Sequence, residues 1–509
     1  MRPLPNSSQK AVNTILKVVF GLQKDSNKSF SFSLKENIKT IKDIFGGDSV
    51  LRVRPFEFAG GQDGCLIYFD GMVNVDLINQ SVLRPLVLAL GPKPDIPVAD
   101  WVADELLYAS EIKKTSLISD AVSAMLYGDT LLLLEGSAAA ITVNTKGWRS
   151  RGISEPENER VLQGPREGFD EAAMFNLAMI RRRLQTPDFC SELLRLGRRT
   201  NTIVFICYLR SIVNRDVLRE LKYRLSKIDI DSVLDSQYIT EQIRDHKSSL
   251  FKTVGATERP DVVAAGLLEG RVALIVDGTP VVITVPYLFS ENFQSDEDYF
   301  ISYNLASAGR IMRMFAFFLA ISVPAIYLAL STFHFELLPT AFALTVSVSR
   351  SGVPFSSLAE CVILTIIFEI LRETGIRMPQ SVGHALSIVG GLVVGQAAVE
   401  AKLVSAPILI VVALSGICGL MVPRLRTAVF YIRFLMIFAA GFFGLYGYLF
   451  SAVLLIISIL RKRSFGIDAT LSLNTVSFQG FKDVLFRTSW KNMITRPAIQ
   501  NENVIRKKK

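Results

Sequence analysis

Residues 387–405 run SIVGGLVVGQAAVEAKLVS, apolar enough for a lipid bilayer yet carrying Gln396 and Glu400. Four residues apart, the two share one face of a helix. An amide and a carboxylate on an apolar face can hold or guide a cation, and ionisable groups at membrane depth are costly and mark ion or substrate paths. Glu360 and Glu369 lie in another apolar run, Leu358–Ile370. Glu360, Glu369, Gln396 and Glu400 are therefore the candidates for a polar path. A plainer reading stands beside it, in which Glu400-Ala401-Lys402 is a tight turn at the membrane surface and Gln396 bonds a neighbouring helix. Gly391 and Gly395 form a GxxxG pair that lets a second helix approach closely.

Other chemistry is poorly represented. There is no GxxxxGK[ST] loop, no GxGxxG after a strand and no HExxH. Asp277 has the type of a nucleophile, but an Asp-Gly pair between two β-branched runs is the signature of a hairpin turn. Arg181, Arg182 and Arg183 could grip phosphate, and equally form a solvated helix face. Cys65, Cys190, Cys207, Cys361 and Cys418 show no CxxC spacing and are expected to be reduced, structural thiols. His246, His334 and His384 are too far apart in sequence to suggest a metal site. No cofactor is expected, and an enzyme is disfavoured.

The elements that position these residues fall into a soluble part and a membrane part. Of 509 residues, those up to about Gly309 carry charges throughout, whereas Ile311–Leu460 is dominated by apolar runs. The expected fold is an α/β cytoplasmic module of two subdomains, then an α-helical polytopic membrane domain and a short basic cytoplasmic tail. The expected boundaries are a flexible segment at 1–30, subdomains at 31–145 and 171–300 joined by a linker at 146–170, a membrane domain at 310–460 and a tail at 461–509. Residues 461–509 hold eleven Lys/Arg against three acidic residues, a net +8 of the chain's +9. Such a tail beside a membrane segment suits anionic lipid rather than nucleic acid. No secretory signal is evident, which keeps the soluble module in the cytoplasm.

Within the soluble module, Ser33 and Glu36 have the spacing of a capping box for a helix ending at Gly46-Gly47. The phrases LLEGSAAAITV and LLEGRVALIVD echo each other and hint at an internal duplication. In the membrane domain, residues 314–333 are long enough to cross, with Arg310 and Arg313 on the cytoplasmic side and Pro324 placed to kink the helix. The region 337–373 is broken by Ser349-Arg350-Ser351-Gly352-Val353-Pro354 and suggests a discontinuous or re-entrant element. Residues 428–460 are too long for one crossing and short for two; Gly441, Gly444 and Gly447 can turn them into a hairpin. Four to six crossings are compatible with the pattern.

The runs Ser349–Glu360 and Phe368–Pro407, with GPREGF (164–169), TERPD (257–261), LLEGRVALIVDGTP (267–280), DEDYF (296–300) and KDVLFRTSWKNMITRP (482–497), resemble the A subunit of GerA-type spore germinant receptors. The stage V sporulation AF proteins share similar motifs. The motif positions include Asp277, Gly278, Pro280, Arg350, Gly352, Pro354, Arg372, Gly375 and Pro379. After Ser464-Phe465-Gly466 the family continues with a VPYLAP-like segment, where this chain has IDATLSL. The resemblance implies a multi-pass subunit in the spore inner membrane. It implies B and C subunits as partners, oligomerisation through this subunit, and a channel for monovalent cations opened by germinant. A membrane-anchored scaffold without its own pore and a transporter subunit are the rival readings.

Overall fold

In the computed structural model, the described residues are 28–470 except 59–60, 90, 92–95, 148–154, 157–158, 247–248, 378–390, 392 and 394, together with 483–484, 486–496 and 505–506. They form two units. The first comprises the described residues of Met1–Lys247, Val254–Pro286 and Met493–Lys509, the second those of Ser248–Thr253 and Tyr287–Asn492.

The first unit is α/β. Helix α1 (Leu34–Phe45) precedes strands β1 (Leu51–Phe58), β2 (Gln62–Phe69), β3 (Ile112–Thr115), β4 (Thr130–Leu134) and β5 (Ala140–Val143), with α2 (Ile118–Leu126) between β3 and β4. Helix α3 (Ala173–Arg183) precedes β6 (Phe189–Leu196), β7 (Thr202–Leu209), β8 (Gly255–Thr257), β9 (Val272–Val276) and β10 (Val282–Val285). Between β7 and β9 lie α4 (Arg215–Ser226), α5 (Ser236–Ile243) and α6 (Pro260–Leu268). Each half forms a five-stranded sheet, ordered β1-β2-β4-β5-β3 and β6-β7-β9-β10-β8, with every pairing antiparallel. The two strand orders are the same.

The likeness extends to single hydrogen bonds. The first amide of α1, Leu34 N, donates to Glu135 Oε2 at 2.7 Å, and the first amide of α3, Ala173 N, donates to Asp277 Oδ1 at 3.0 Å. Both carboxylates sit in the turn between the fourth and fifth strands of their half. Asn37 clasps Ser31 through both backbone groups (2.9 and 2.6 Å), and Asn176 clasps Asp170 in the same way (2.8 and 2.5 Å). Two sequence expectations are corrected here. Ser33 makes no capping bond; Glu36 accepts from Ser31 instead, and Glu135 takes the helix N-terminus. The echo between the halves has a different register, because Leu267 and Leu268 end helix α6 and Glu269-Gly270 follow it. The true counterpart of Glu135-Gly136 is Asp277-Gly278, whose glycines stand at φ 78 and 89°.

Helices α1, α2, α3 and α6 share one apolar core with both sheets, through residues such as Ile41, Phe45, Ile67, Phe69, Ile180, Phe205 and Ile275. A charged pair lies inside it. Arg181 Nη2 reaches Asp48 Oδ2 at 2.5 Å with both side chains buried, and Ser191 Oγ donates to Asp48 Oδ1 at 2.7 Å. The guanidinium also stacks on Phe69 and Phe189. Burial pushes the Cys65 thiol up to about 11 and Cys207 well above its usual value, so neither is poised as a thiolate.

The second unit is helical: α7 (Tyr303–Thr332), α8 (Thr340–Arg350), α9 (Ser357–Arg377), α10 (Ala406–Leu420) and α11 (Arg426–Leu460). Among the described residues, two helical stretches are long and apolar enough to cross a membrane, Tyr303–Thr332 and Pro423–Leu460. Only 22% of the most apolar part of the second is buried, and Phe442, Phe443, Tyr446, Phe450 and Val453 face outward. So much contiguous apolar exposure fits lipid rather than water.

Helix α11 doubles back. Gly444 leaves helical geometry at φ 62, ψ −143°, and a Cβ placed on Gly447 would lie 2.0 Å from the Ala439 carbonyl oxygen. The two ends of α11 return to one short segment, since Arg424 Nη1 donates to Glu291 O at 3.1 Å and Phe289 N to Ala469 O at 2.9 Å. At about 1.5 Å per residue the arms are roughly 27 and 24 Å long, near the thickness of a hydrocarbon core. Replacing Gly444 by alanine places a Cβ 2.8 Å from the His334 ring and 2.9 Å from Phe333 Cβ, in a conformation side chains rarely adopt. We expect Gly444→Ala to cost about 1–3 kcal/mol, seen as a lower melting temperature in detergent. An unchanged melt would put the reversal elsewhere.

Candidate functional site

Pro324 sets the centre of the helical unit. Proline has no N–H, so the carbonyl of Ala320, four residues earlier in α7, loses its helical donor. Two side chains replace it: Ser415 Oγ of α10 at 2.7 Å and Arg433 Nε of α11 at 2.9 Å. Arg433 is 1% exposed and uses its remaining nitrogens on Glu369 Oε1 and Ser415 O, both at 3.3 Å. Glu369 also pairs with Arg372, one turn further along α9. One carboxylate, two guanidinium groups, a hydroxyl and a freed carbonyl thereby join α7, α9, α10 and α11. Small residues permit the approach: a Cβ on Gly416 would lie 2.3 Å from the Phe368 ring, and one on Gly419 would lie 3.1 Å from Arg433 Nη2.

The candidate carboxylates are placed differently from one another. Glu369 belongs to this network. Glu360 is fully buried near the start of α9, accepts from Ser405 N at 2.8 Å and faces Arg350 Nε at 3.8 Å. Gln396 and Glu400 are exposed, with Gln396 Nε2 donating to Glu400 Oε1 at 3.1 Å. Gln396 therefore bonds its own helix rather than a neighbouring one. A turn does follow, with Lys402 at φ 55°. Glu360, Glu369 and the Gln396–Glu400 pair thus form three separate places, two internal and one outward.

Among the described residues, a Cβ on Gly391 would meet nothing within 4 Å, and one on Gly395 only the Leu409 side chain at 3.5 Å. Gly352 breaks the chain after α8 at φ 90°, followed by exposed Pro354. Gly375 lies in the last turns of α9, and Pro379 falls outside the described residues. Asp277 caps α3; Gly278 and Pro280 shape the turn that carries it.

Sequence reasoning singled out the carboxylates and passed over Arg433, although a lone arginine within an apolar run was itself a signal. It also left unexplained why DEDYF and KDVLFRTSW stand so far apart. The Asp298 carboxylate takes Arg310 Nε at 2.9 Å and Arg313 Nη2 at 2.6 Å, Asp483 Oδ1 takes Arg310 Nη1 at 2.8 Å, and Arg487 donates to the carbonyls of Asp298 and Ile301. The two motifs are bound to each other at the start of α7. None of these arrangements places a nucleophile beside a base. What they can do is lock helices together through buried and half-buried ion pairs.

A family model described as Bacillus/Clostridium GerA spore germination protein matches residues 39–499. The chain belongs to the GerA family of spore germination proteins. Spore germination protein KA of Bacillus subtilis (strain 168) is 38% identical over 493 residues, covering 96% of this chain and 90% of that protein. Spore germination protein GerLA of Bacillus cereus is 31% identical over 91% of this chain and 95% of its own length. The crystal structure of the N-terminal domain of the A subunit of the Bacillus megaterium spore germinant receptor GerK3 matches at 31% identity, covering 98% of that domain and 52% of this chain, with a TM-score of 0.39. Membership in the GerA family accords with the apolar helices in giving this chain a membrane-associated role in germination.

Proposed function

We propose that this chain is the A subunit of a spore germinant receptor, and that it assembles with B and C subunits and with copies of itself into a germinant-gated path for monovalent cations. It acts without catalysis. The observation that carries the reading is the contrast between inward and outward polar groups. Glu360 and Glu369 are met by arginines within the chain, whereas Gln396 and Glu400 point out of it. Helix α8 is largely exposed, only Val346 of its residues being buried, and it turns Phe342, Leu344 and Val348 outward. A path that uses Gln396 and Glu400 therefore lies between copies rather than inside one.

The arginine-rich ends support a multi-pass topology. Arg310, Arg313, Arg424, Arg426, Arg461, Lys462 and Arg463 gather where α7 begins and the α11 hairpin opens, while the hairpin tip meets Phe333 and His334. The positive-inside rule puts the hairpin mouth, and with it the soluble unit and the tail, in the cytoplasm of the spore inner membrane.

The test is potassium and sodium efflux from vesicles holding the full chain, alone and with its B and C partners, with and without germinant. We expect flux that germinant switches on and that Glu400→Gln with Gln396→Leu reduces. Absence of flux from vesicles shown to contain the assembled complex would favour the scaffold reading, which the internal neutralisation of Glu360 and Glu369 also suits.

A further inference from the structure

Apart from the Arg433 network, five buried polar atoms on Glu360 and on residues around the start of α9 have no hydrogen-bond partner: Tyr327 OH, Arg350 Nε, Ser357 Oγ, Glu360 Oε1 and Ser405 Oγ. Glu360 is 0% exposed, Ser405 1% and Ser357 2%. Ser357 stands one turn before Glu360 on the same face of α9. Ser405 is held there by its amide, which donates to Glu360 Oε2 at 2.8 Å and leaves Oε1 to the site. Tyr327 of α7 packs in the same apolar cluster as Leu358, Cys361 and Val404, within electrostatic reach of Glu360 and Arg350.

Buried polar groups in native proteins are almost always satisfied, and each one left bare carries its full desolvation cost. Four oxygens, one of them anionic, and no nitrogen acceptor make a donor set for a hard cation. A single negative charge suits a monovalent one. The resident positive charge is Arg350, yet it fits poorly: its Nε stops 3.8 Å from Glu360 Oε1, too far for a hydrogen bond. Its side chain is 28% exposed, and it ends the weakly packed helix α8 just before Gly352 at φ 90°.

We propose that Tyr327, Ser357, Glu360 and Ser405 form a site for a dehydrated potassium or sodium ion, and that Arg350 is a tethered cation competing for it. When Arg350 swings outward with the end of α8, the mobile ion takes its place on Glu360. The part this site plays in cation movement rests on the proposed function, whereas the site itself rests on these five groups.

The experiment follows the melting temperature of the full chain in detergent through titrations of KCl and NaCl, balanced against N-methyl-D-glucamine chloride at constant ionic strength. A ligand that binds only the folded state raises the melt in a saturable way. Arg350→Gln removes the competitor without touching a hydrogen bond. We expect it to bind potassium or sodium at least about tenfold more tightly than the wild type. Arg350→Lys, which keeps a tethered charge, should stay as weak as the wild type. Adding Ser357→Ala and Ser405→Ala to Arg350→Gln should weaken binding again by about tenfold or more. The proposal is overturned if Arg350→Gln responds to potassium and sodium no more than the wild type does, or if all salts act alike, as ordered water in the site would have it. Ion-specific stabilisation with no vesicle flux would sink the path reading and leave the site standing. Flux without an ion-specific response in Arg350→Gln would do the reverse.

Discussion

Glu369→Gln is expected to destabilise the helical unit by about 3–5 kcal/mol, the usual cost of leaving a buried charge without its partner. The reason lies in the stoichiometry of the network. Glu369 is the one carboxylate between Arg433 and Arg372, and its side chain is 12% exposed against 1% for Arg433. Neutralising it leaves two guanidinium groups facing each other in an apolar setting. Arg433→Met should be milder, about 1–2 kcal/mol, because Glu369 keeps Arg372 and the Ala320 carbonyl keeps Ser415. The double variant should then be more stable than Glu369→Gln alone. Thermal unfolding in detergent of the two single variants and the double one gives the coupling directly. Additive losses would mean that the pair does not act as a unit.

The second large effect belongs to the soluble unit. Asp48→Ala strands Arg181, 1% exposed and stacked on two phenylalanines, with no anion beside it. The expected cost is again about 3–5 kcal/mol. Asp48 also receives Ser191 Oγ and Val50 N, while Ser49 N bonds Ser191 O at 2.9 Å, so the loss falls where the two sheets meet. Hydrogen exchange of the full chain should show amides of β1 and β6 exchanging about a hundredfold faster or more, at 1.4 kcal/mol per tenfold. Protection that stays intact in β1 and β6 while the variant folds normally would refute a shared seam.

The same seam shows why the halves echo so faintly in sequence. The likeness of the halves is visible in strand order and in the paired caps from Glu135 and Asp277, each of which reaches a helix N-terminus 101 or 104 residues away in sequence. A short acidic side chain in a turn meets that requirement as aspartate or glutamate alike, and the flanking strands are built from different apolar residues, TLLLL before Glu135 and VALIV before Asp277. The phrase LLEG occurs once in a strand and turn and once at the end of a helix, so its repeat does not mark equivalent positions.

Local chemistry was legible in the sequence where glycine backbone preferences govern it, though not at Ser33, whose capping role passes to the distant Glu135. The helix stop at Gly46, the Asp277-Gly278 turn, the break at Gly352 and the reversal at Gly444 each rest on a residue whose own backbone preferences decide the conformation. Apolar patterning likewise separated the α/β part from the helical part, because burial and lipid contact both depend on side-chain type. The partners of charged groups were not legible. Arg433 meets Glu369 across 64 residues, Arg181 meets Asp48 across 133, and Arg310 meets Asp483 across 173. A charge in an apolar run announces that it must be compensated, but the compensating group is chosen by which helix faces pack together. Pro324 illustrates the division: its missing N–H follows from the residue alone, whereas the assignment of Ser415 and Arg433 to the freed carbonyl was made by the tertiary fold.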